Sequence, residues 1–210
     1  MIGQTLRRLL GPFEHRAAGA YRAAFVDLDS LASTIRAWSD ATSILEVGCG
    51  EGQLTQRIAH WYPNSTIVGI DIIDGVGRLF TGDPERVTFA VERLSSFVAR
   101  HSTSYDLVIL SDVLHHVPRD ERESLLRNCA VALAPGGGFV LKDWTKSARP
   151  IHWLAYISDS VITGDHVLYL SEPEILNLVV GVFGHASVER IARVQPWQNN
   201  LMLLLRPSRD

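Results

Sequence analysis

The stretch that decides the fold is Ile44-Leu45-Glu46-Val47-Gly48-Cys49-Gly50-Glu51-Gly52-Gln53-Leu54-Thr55. An apolar run ends in an acid, passes through three alternating glycines and enters a polar helix start. Glycines between a strand and a helix let the chain turn sharply and let a ligand approach the backbone, while the helix start offers free N–H groups and a positive dipole end to an anion. A dinucleotide-type loop would need glycine at Gln53 to complete G-x-G-x-x-G. The spacing here is instead G-x-G-x-G, on Gly48, Gly50 and Gly52. Glu46, just before the turn, is placed to accept from an ammonium group, and the helix start to receive a carboxylate. An amino acid carries both charges.

Working outward, apolar β-type runs alternate with amphipathic ones. Ser43–Val47, Thr66–Ile70, Val87–Val91 and Tyr105–Leu110 read as strands, the last with the unbroken apolar content of a strand covered on both faces. Leu54, Ile58 and Trp61 share one helical face. Pro118 opens a helix with an inward stripe of Leu125, Leu126, Cys129 and Leu133, which Pro135 and Gly136 to Gly138 break before strand Phe139–Leu141. Ser171 and Glu174 form a capping-box pattern ahead of Ile175, Leu176, Val179, Val180 and Phe183. Residues 187–194 and 201–205 close the chain as a hairpin. The expectation is one α/β domain with a mostly parallel, seven-stranded sheet, an antiparallel last strand and helices on both faces. Residues 1–40 read as an N-terminal helical cap of two helices over the top of the sheet, the second marked by Leu28, Leu31, Ile35 and Trp38; residues 41–210 hold the ligand-binding domain, with a lid around 145–172.

Composition limits the partners. The 210 residues are 46% hydrophobic and carry Lys+Arg 20 against Asp+Glu 23, a formal net charge of -3. One core of that size suffices for one domain, and the acidic balance gives no electrostatic case for nucleic acid. Two cysteines, Cys49 and Cys129, make no disulfide framework and no zinc spacing, which points to a reducing cytoplasm. No segment approaches the roughly 20 apolar residues of a membrane span, although the basic, apolar residues 6–13 could touch a membrane surface. The sequence leaves the oligomeric state open.

Asp71, at the end of the second strand, can accept both hydroxyls of a ribose. An amino-acid end plus a ribose reads as S-adenosylmethionine. Five ordered stretches carry that reading: ILEVGCGEG, VGIDI, FAVERL, DLVILSDVLHHV and LAPGGGFVLKDW. On these the sequence resembles the class I S-adenosylmethionine-dependent methyltransferases of the small-molecule, methyltransferase-domain branch, from about Ser43 to Leu205. The resemblance implies a Rossmann-like methyltransferase fold, S-adenosylmethionine as cofactor and S-adenosylhomocysteine as product. By position it implies that Glu46, Gly48, Cys49, Gly50 and Gly52 surround the methionine part, that Asp71 holds the ribose and Ile72 covers one adenine face, that Glu92 and Arg93 stand at the adenine amino group, and that Ser111 and Asp112 begin the loop beside the cofactor. Between Ile73 and Arg78 the chain carries two glycines where relatives begin a regular helix.

The chemistry then rests on few side chains. His115 and His116 are placed to take a proton from a hydroxyl acceptor. Lys142 could orient an anionic or polar acceptor and Asp143 could serve as base, or the two could pair with each other. Metal assistance through Asp112 and Asp143 is conceivable, but no metal is expected, because the paired Asp-Asn pattern of metal-dependent catechol-type enzymes is missing. The segment 150–170, rich in aromatic and aliphatic residues, reads as a pocket wall closing with Tyr21 and Arg22 over an apolar acceptor. The Asn/Asp-Pro-Pro-Tyr and Pro-Cys signatures that follow the fourth strand in base-modifying enzymes are absent. A small, partly hydrophobic acceptor such as a natural product, quinol or lipid-like molecule, methylated at oxygen, is the resulting expectation. The alternative is a protein of the same fold that binds S-adenosylmethionine without methylating, as a pericyclase-like catalyst or a partner in a biosynthetic complex.

Overall fold

The computed structural model describes residues 26–101, 104–146 and 167–207. The first expected helix, residues 6–13, Tyr21, Arg22 and most of the 150–170 segment lie outside the described residues.

Seven strands form a single sheet in the order β3-β2-β1-β4-β5-β7-β6. They are β1 Ser43–Val47, β2 Thr66–Asp71, β3 Val87–Val91, β4 Tyr105–Ser111, β5 Leu133–Trp144, β6 Val188–Arg193 and β7 Asn200–Leu205. β7 is antiparallel to both neighbours, and the remaining pairs are parallel. Strand alternation splits the core in two, because successive side chains leave opposite faces. On one face Leu45, Val108, Leu110, Phe139 and Leu141 meet helices α3 Leu94–Arg100, α4 Arg122–Val131 and α5 Glu172–Phe183. On the other, Ile44, Ile67, Leu107, Ile109 and Val140 meet α1 Leu28–Trp38 and α2 Gln53–Trp61.

Four expectations need correction. Helix α1 buries Leu31, Ala32 and Ile35 against a sheet face rather than over the top; only its start reaches the carboxyl end, where the Asp27 N–H donates to the Gln195 carbonyl at 2.9 Å. Trp61 is 40% exposed, and the neighbouring Tyr62 takes the buried place, its hydroxyl donating to the Ser39 carbonyl at 2.7 Å. Pro118 begins a turn closed by the Glu121 N–H, so α4 starts at Arg122 and ends before Leu133. The glycines after Pro135 do not separate helix from strand. Leu133 pairs with Tyr105 and Gly138 with Leu107, so the intervening residues bulge out of a strand already under way. A Cβ on Gly137 would lie 2.9 Å from two carbonyl oxygens, which explains glycine there.

Candidate active site

The sheet order reverses between β1 and β4, and in open α/β sheets that switch point opens a crevice at the carboxyl ends of the strands. The glycine loop lines it. Gly48, Gly50 and Gly52 have φ of +74°, +54° and +87°, and the Gly48 and Cys49 N–H groups donate to the Ile70 carbonyl at 2.8 and 3.1 Å. A Cβ on Gly48 would stand 2.2 Å from Val113, whereas one on Gly50 would meet nothing within 4 Å. The loop is therefore braced at Gly48 and open at Gly50. Beneath it Glu46 is 2% exposed, and its Oε2 has no hydrogen-bond partner among the described residues. Burial, reinforced by the charge of Asp71, pushes its carboxyl up to about 8; Thr55 is close enough to temper the rise without reaching hydrogen-bond geometry. Cys49 is buried, and burial together with Glu46 and Asp71 keeps its thiol protonated.

Asp71 holds the loop from the side. Its Oδ2 accepts from the Gly50 N–H at 2.7 Å and its Oδ1 from the Ile72 N–H at 2.6 Å. Ile72 is 63% exposed, with Ile73 and Val91 also exposed beside it, an apolar surface at the ends of β2 and β3. Glu92 is not open in the same way. Both its oxygens are engaged by the Arg100 guanidinium, at the corner between β3 and α3, and Arg93 is the exposed N-cap of that helix.

The other wall begins with Asp112, a non-glycine residue at φ +56°. Its carboxylate receives the fully buried Lys142 ammonium at 2.5 and 2.7 Å, and the Ser111 hydroxyl at 3.2 Å. The pairing of Lys142 with Asp143 is thus overturned: adjacent strand residues face opposite ways. Asp143 turns instead to His115, whose Nδ1 lies 2.5 Å from its Oδ1. The same carboxylate accepts the His115 N–H at 3.2 Å and the Trp144 N–H at 2.7 Å. Burial works against its charge, but His115, Lys142 and the Trp144 N–H outweigh it and hold the carboxyl below the usual range. An ionised carboxylate only accepts, so Nδ1 carries the proton; when the ring is neutral its basic lone pair is therefore on Nε2. The buried His115 ring stacks on Tyr169, centroids 4.9 Å apart, while His116 is exposed on the same turn.

Ligand atoms of Asp112, His115 and Asp143 lie within 4.8 Å of one another, a grouping able to hold a cation. Lys142 already supplies positive charge to that grouping. A groove of about 540 Å³ lined by Arg36, Trp61, Tyr62 and Asp106 lies at the opposite, amino end of the sheet, remote from the glycine loop. Sequence reasoning missed Tyr169 as a partner of His115, and Arg122. The face of Asp143 was readable from strand alternation.

A family model described as a methyltransferase domain matches residues 4–181. The chain belongs to that family. That match bears out the resemblance to the class I S-adenosylmethionine-dependent methyltransferases. A ubiquinone biosynthesis O-methyltransferase of Escherichia coli O9:H4 (strain HS) is 28% identical over 131 residues, 60% of this chain and 50% of that protein. The chain thus spans half the length of that curated relative. Among solved structures, an O-methyltransferase family protein from Burkholderia thailandensis superposes with a TM-score of 0.70 at 16% identity, over 99% of this chain and 64% of that one. The 1,6-didemethyltoxoflavin-N1-methyltransferase of the same organism, with bound 1,6-didemethyltoxoflavin and S-adenosylhomocysteine, gives 0.67 at 17% identity, over 99% and 89%. These two establish the shared fold. No helix among the described residues is long and apolar enough to cross a membrane.

The residues present fit the family's cofactor. A buried carboxylate oxygen without a partner, below a loop open at Gly50, suits an ammonium group.

Proposed function

We propose that this chain transfers the methyl group of S-adenosylmethionine to a hydroxyl of a small, partly hydrophobic acceptor. The observation that carries the reading is the unpartnered Glu46 oxygen in the same crevice system as an oriented His115–Asp143 pair. When bound, the sulfonium supplies an electrophilic methyl group. Glu46 would accept from its ammonium, Asp71 would offer lone pairs to the ribose hydroxyls, and Ile72 would give the adenine an apolar face. His115 Nε2 would take the proton of the acceptor hydroxyl, and Asp143 would stabilise the imidazolium so formed. A base so placed contributes roughly 10²- to 10⁴-fold. Lys142 neutralises Asp112, keeping a second bare carboxylate away from the electron-rich acceptor.

Relatives named as ubiquinone biosynthesis O-methyltransferases support oxygen as the methylated atom and a quinol-type acceptor. The test incubates the protein with methyl-labelled S-adenosylmethionine and phenolic, quinol, polyketide and lipid acceptors. Label is expected in a product, with turnover falling 10²- to 10⁴-fold in Asp143→Asn while cofactor affinity holds. Tight cofactor binding with label never leaving it would replace this reading by the non-methylating one.

A further inference from the structure

Arg122 is an arginine in an unusual setting. It opens α4, is 2% exposed, and makes no ion pair with a carboxylate among the described residues. Its Nε donates to the Val117 carbonyl at 2.9 Å and its Nη2 to the Leu168 carbonyl at 2.7 Å, while Nη1 is buried without a partner among the described residues. Fully buried cations ordinarily have an ionic partner, since desolvation is expensive. Here two backbone carbonyls hold the guanidinium directly, and the charges of Asp143 and Glu174 favour its ionised form without contacting it.

Those carbonyls belong to the two segments that frame His115. Val117 follows the short 3-10 turn Leu114–His116. Leu168 donates its own N–H to the His115 carbonyl at 2.9 Å, and its neighbour Tyr169 stacks on the imidazole. Leu170 bridges to Thr145, and its carbonyl accepts the Lys146 N–H at 2.8 Å, shortly after Asp143 in β5. The path therefore closes: His115 turn, Arg122, Leu168 to Leu170, end of β5, Asp143, and back to His115.

We propose that Arg122 is a positioning residue that holds the His115 ring between Asp143 and Tyr169, so that Nδ1 stays on the carboxylate and Nε2 is kept as the base. This rests on His115 acting as base in the proposed reaction. The planar guanidinium can serve two carbonyls on separate segments at once; an ammonium donates from a single point. Arg122→Lys therefore keeps the charge and loses the bridge, which separates geometry from electrostatics.

The experiment records imidazole ¹⁵N spectra of the full chain and of Arg122→Lys and Arg122→Met, with His115→Gln for assignment, alongside kinetics and calorimetry with S-adenosylhomocysteine. The wild-type ring is expected as the Nδ1–H tautomer. In both variants it should become an averaged mixture, with kcat down about 10²-fold, as misplacement by about an ångström produces, and with acceptor KM and S-adenosylhomocysteine affinity within about twofold. An unchanged His115 tautomer in folded variants overturns the proposal. The spectra decide it even if no acceptor is ever methylated, so failure of the reaction assignment is seen separately. Should neither variant fold, the wild-type Arg122 Nε–H must show slow solvent exchange and coupling across the hydrogen bond to the Val117 carbonyl; rapid exchange without that coupling refutes the bridge.

Discussion

A carboxyl as buried as that of Glu46, with one oxygen unpartnered, is mostly protonated at neutral pH in the free protein, because its pKa is raised to about 8. An arriving ammonium reverses the balance: it favours the charged form, and the proton must leave. Calorimetry of S-adenosylhomocysteine binding at pH 7, in buffers of differing ionisation enthalpy, should therefore report close to one proton released. Glu46→Gln should release none and bind roughly 10- to 100-fold more weakly, the worth of one hydrogen bond to a charged group. Equal proton counts in the two proteins would sink the assignment. Glu46 was legible in the sequence because an acid at a strand end before three glycines has few other uses. Lys142 and Asp143 were legible as residues, and strand alternation sets them on opposite faces of β5; their partners were not, since Asp112 and His115 come from the loop and turn after β4, which only the fold brings beside them. Arg122 gave no sequence signal, for its partners are backbone carbonyls that only the fold assembles.

Between β2 and β3 the chain makes a strap over the glycine loop instead of a helix. The Gly77 N–H donates to the Gly50 carbonyl at 3.0 Å and the Leu79 N–H to the Glu51 carbonyl at 2.8 Å, and Arg78 grips Glu51 through Nε at 2.8 Å. Gly77 has φ +70°, and a Cβ there would stand 2.4 Å from the Phe89 ring; Gly75 has φ +79° with only Arg78 Cδ at 3.3 Å. Both Gly→Ala changes carry the left-handed penalty of about 1 kcal/mol, but Gly77→Ala adds overpacking of about 1–3 kcal/mol. Its melting temperature should fall further by several degrees, at roughly 2–4 °C per kcal/mol for a chain of this size. Equal losses at the two positions would mean that the strap does not rest on Phe89. The two glycines were visible in the sequence as a departure, but their target was not: the aromatic wall comes from β3, and register alone brings it beneath Gly77. Strands β1, β2 and β4 were readable for the opposite reason, because continuous apolar runs are what a parallel strand covered on both faces requires. The bulge in β5 was not, since Pro135 and three glycines look the same whether they end a helix or interrupt a strand.

Over the whole molecule the shifted acids pull the pH dependence of stability in opposite directions. Asp143 and Asp106 sit below their ordinary value of 3.8 in the fold, so the stability they contribute is complete above that value and is lost as pH falls. Glu46 is raised, so between its ordinary value of 4.5 and about 8 the folded chain holds a proton that the unfolded chain has released. Its contribution is full below 4.5 and declines as pH rises through that window. The free protein should therefore gain from weakly acidic pH and soften toward pH 8. Ligand changes this. A bound ammonium keeps Glu46 ionised, so the proton is no longer retained on folding and the decline is offset. At 100 times its Kd, S-adenosylhomocysteine should add about 2.7 kcal/mol, some 5–10 °C at the same scaling, and at fixed ligand concentration the gain should widen from pH 6 to pH 8. Melting curves across pH 5 to 8.5 with and without ligand test this, with Glu46→Gln as the control whose free-protein stability lacks the acid's decline. If that variant and the parent lose stability in parallel over the range, Glu46 does not titrate there, and the unpartnered acid beneath the glycine loop is not what links folding to the ligand.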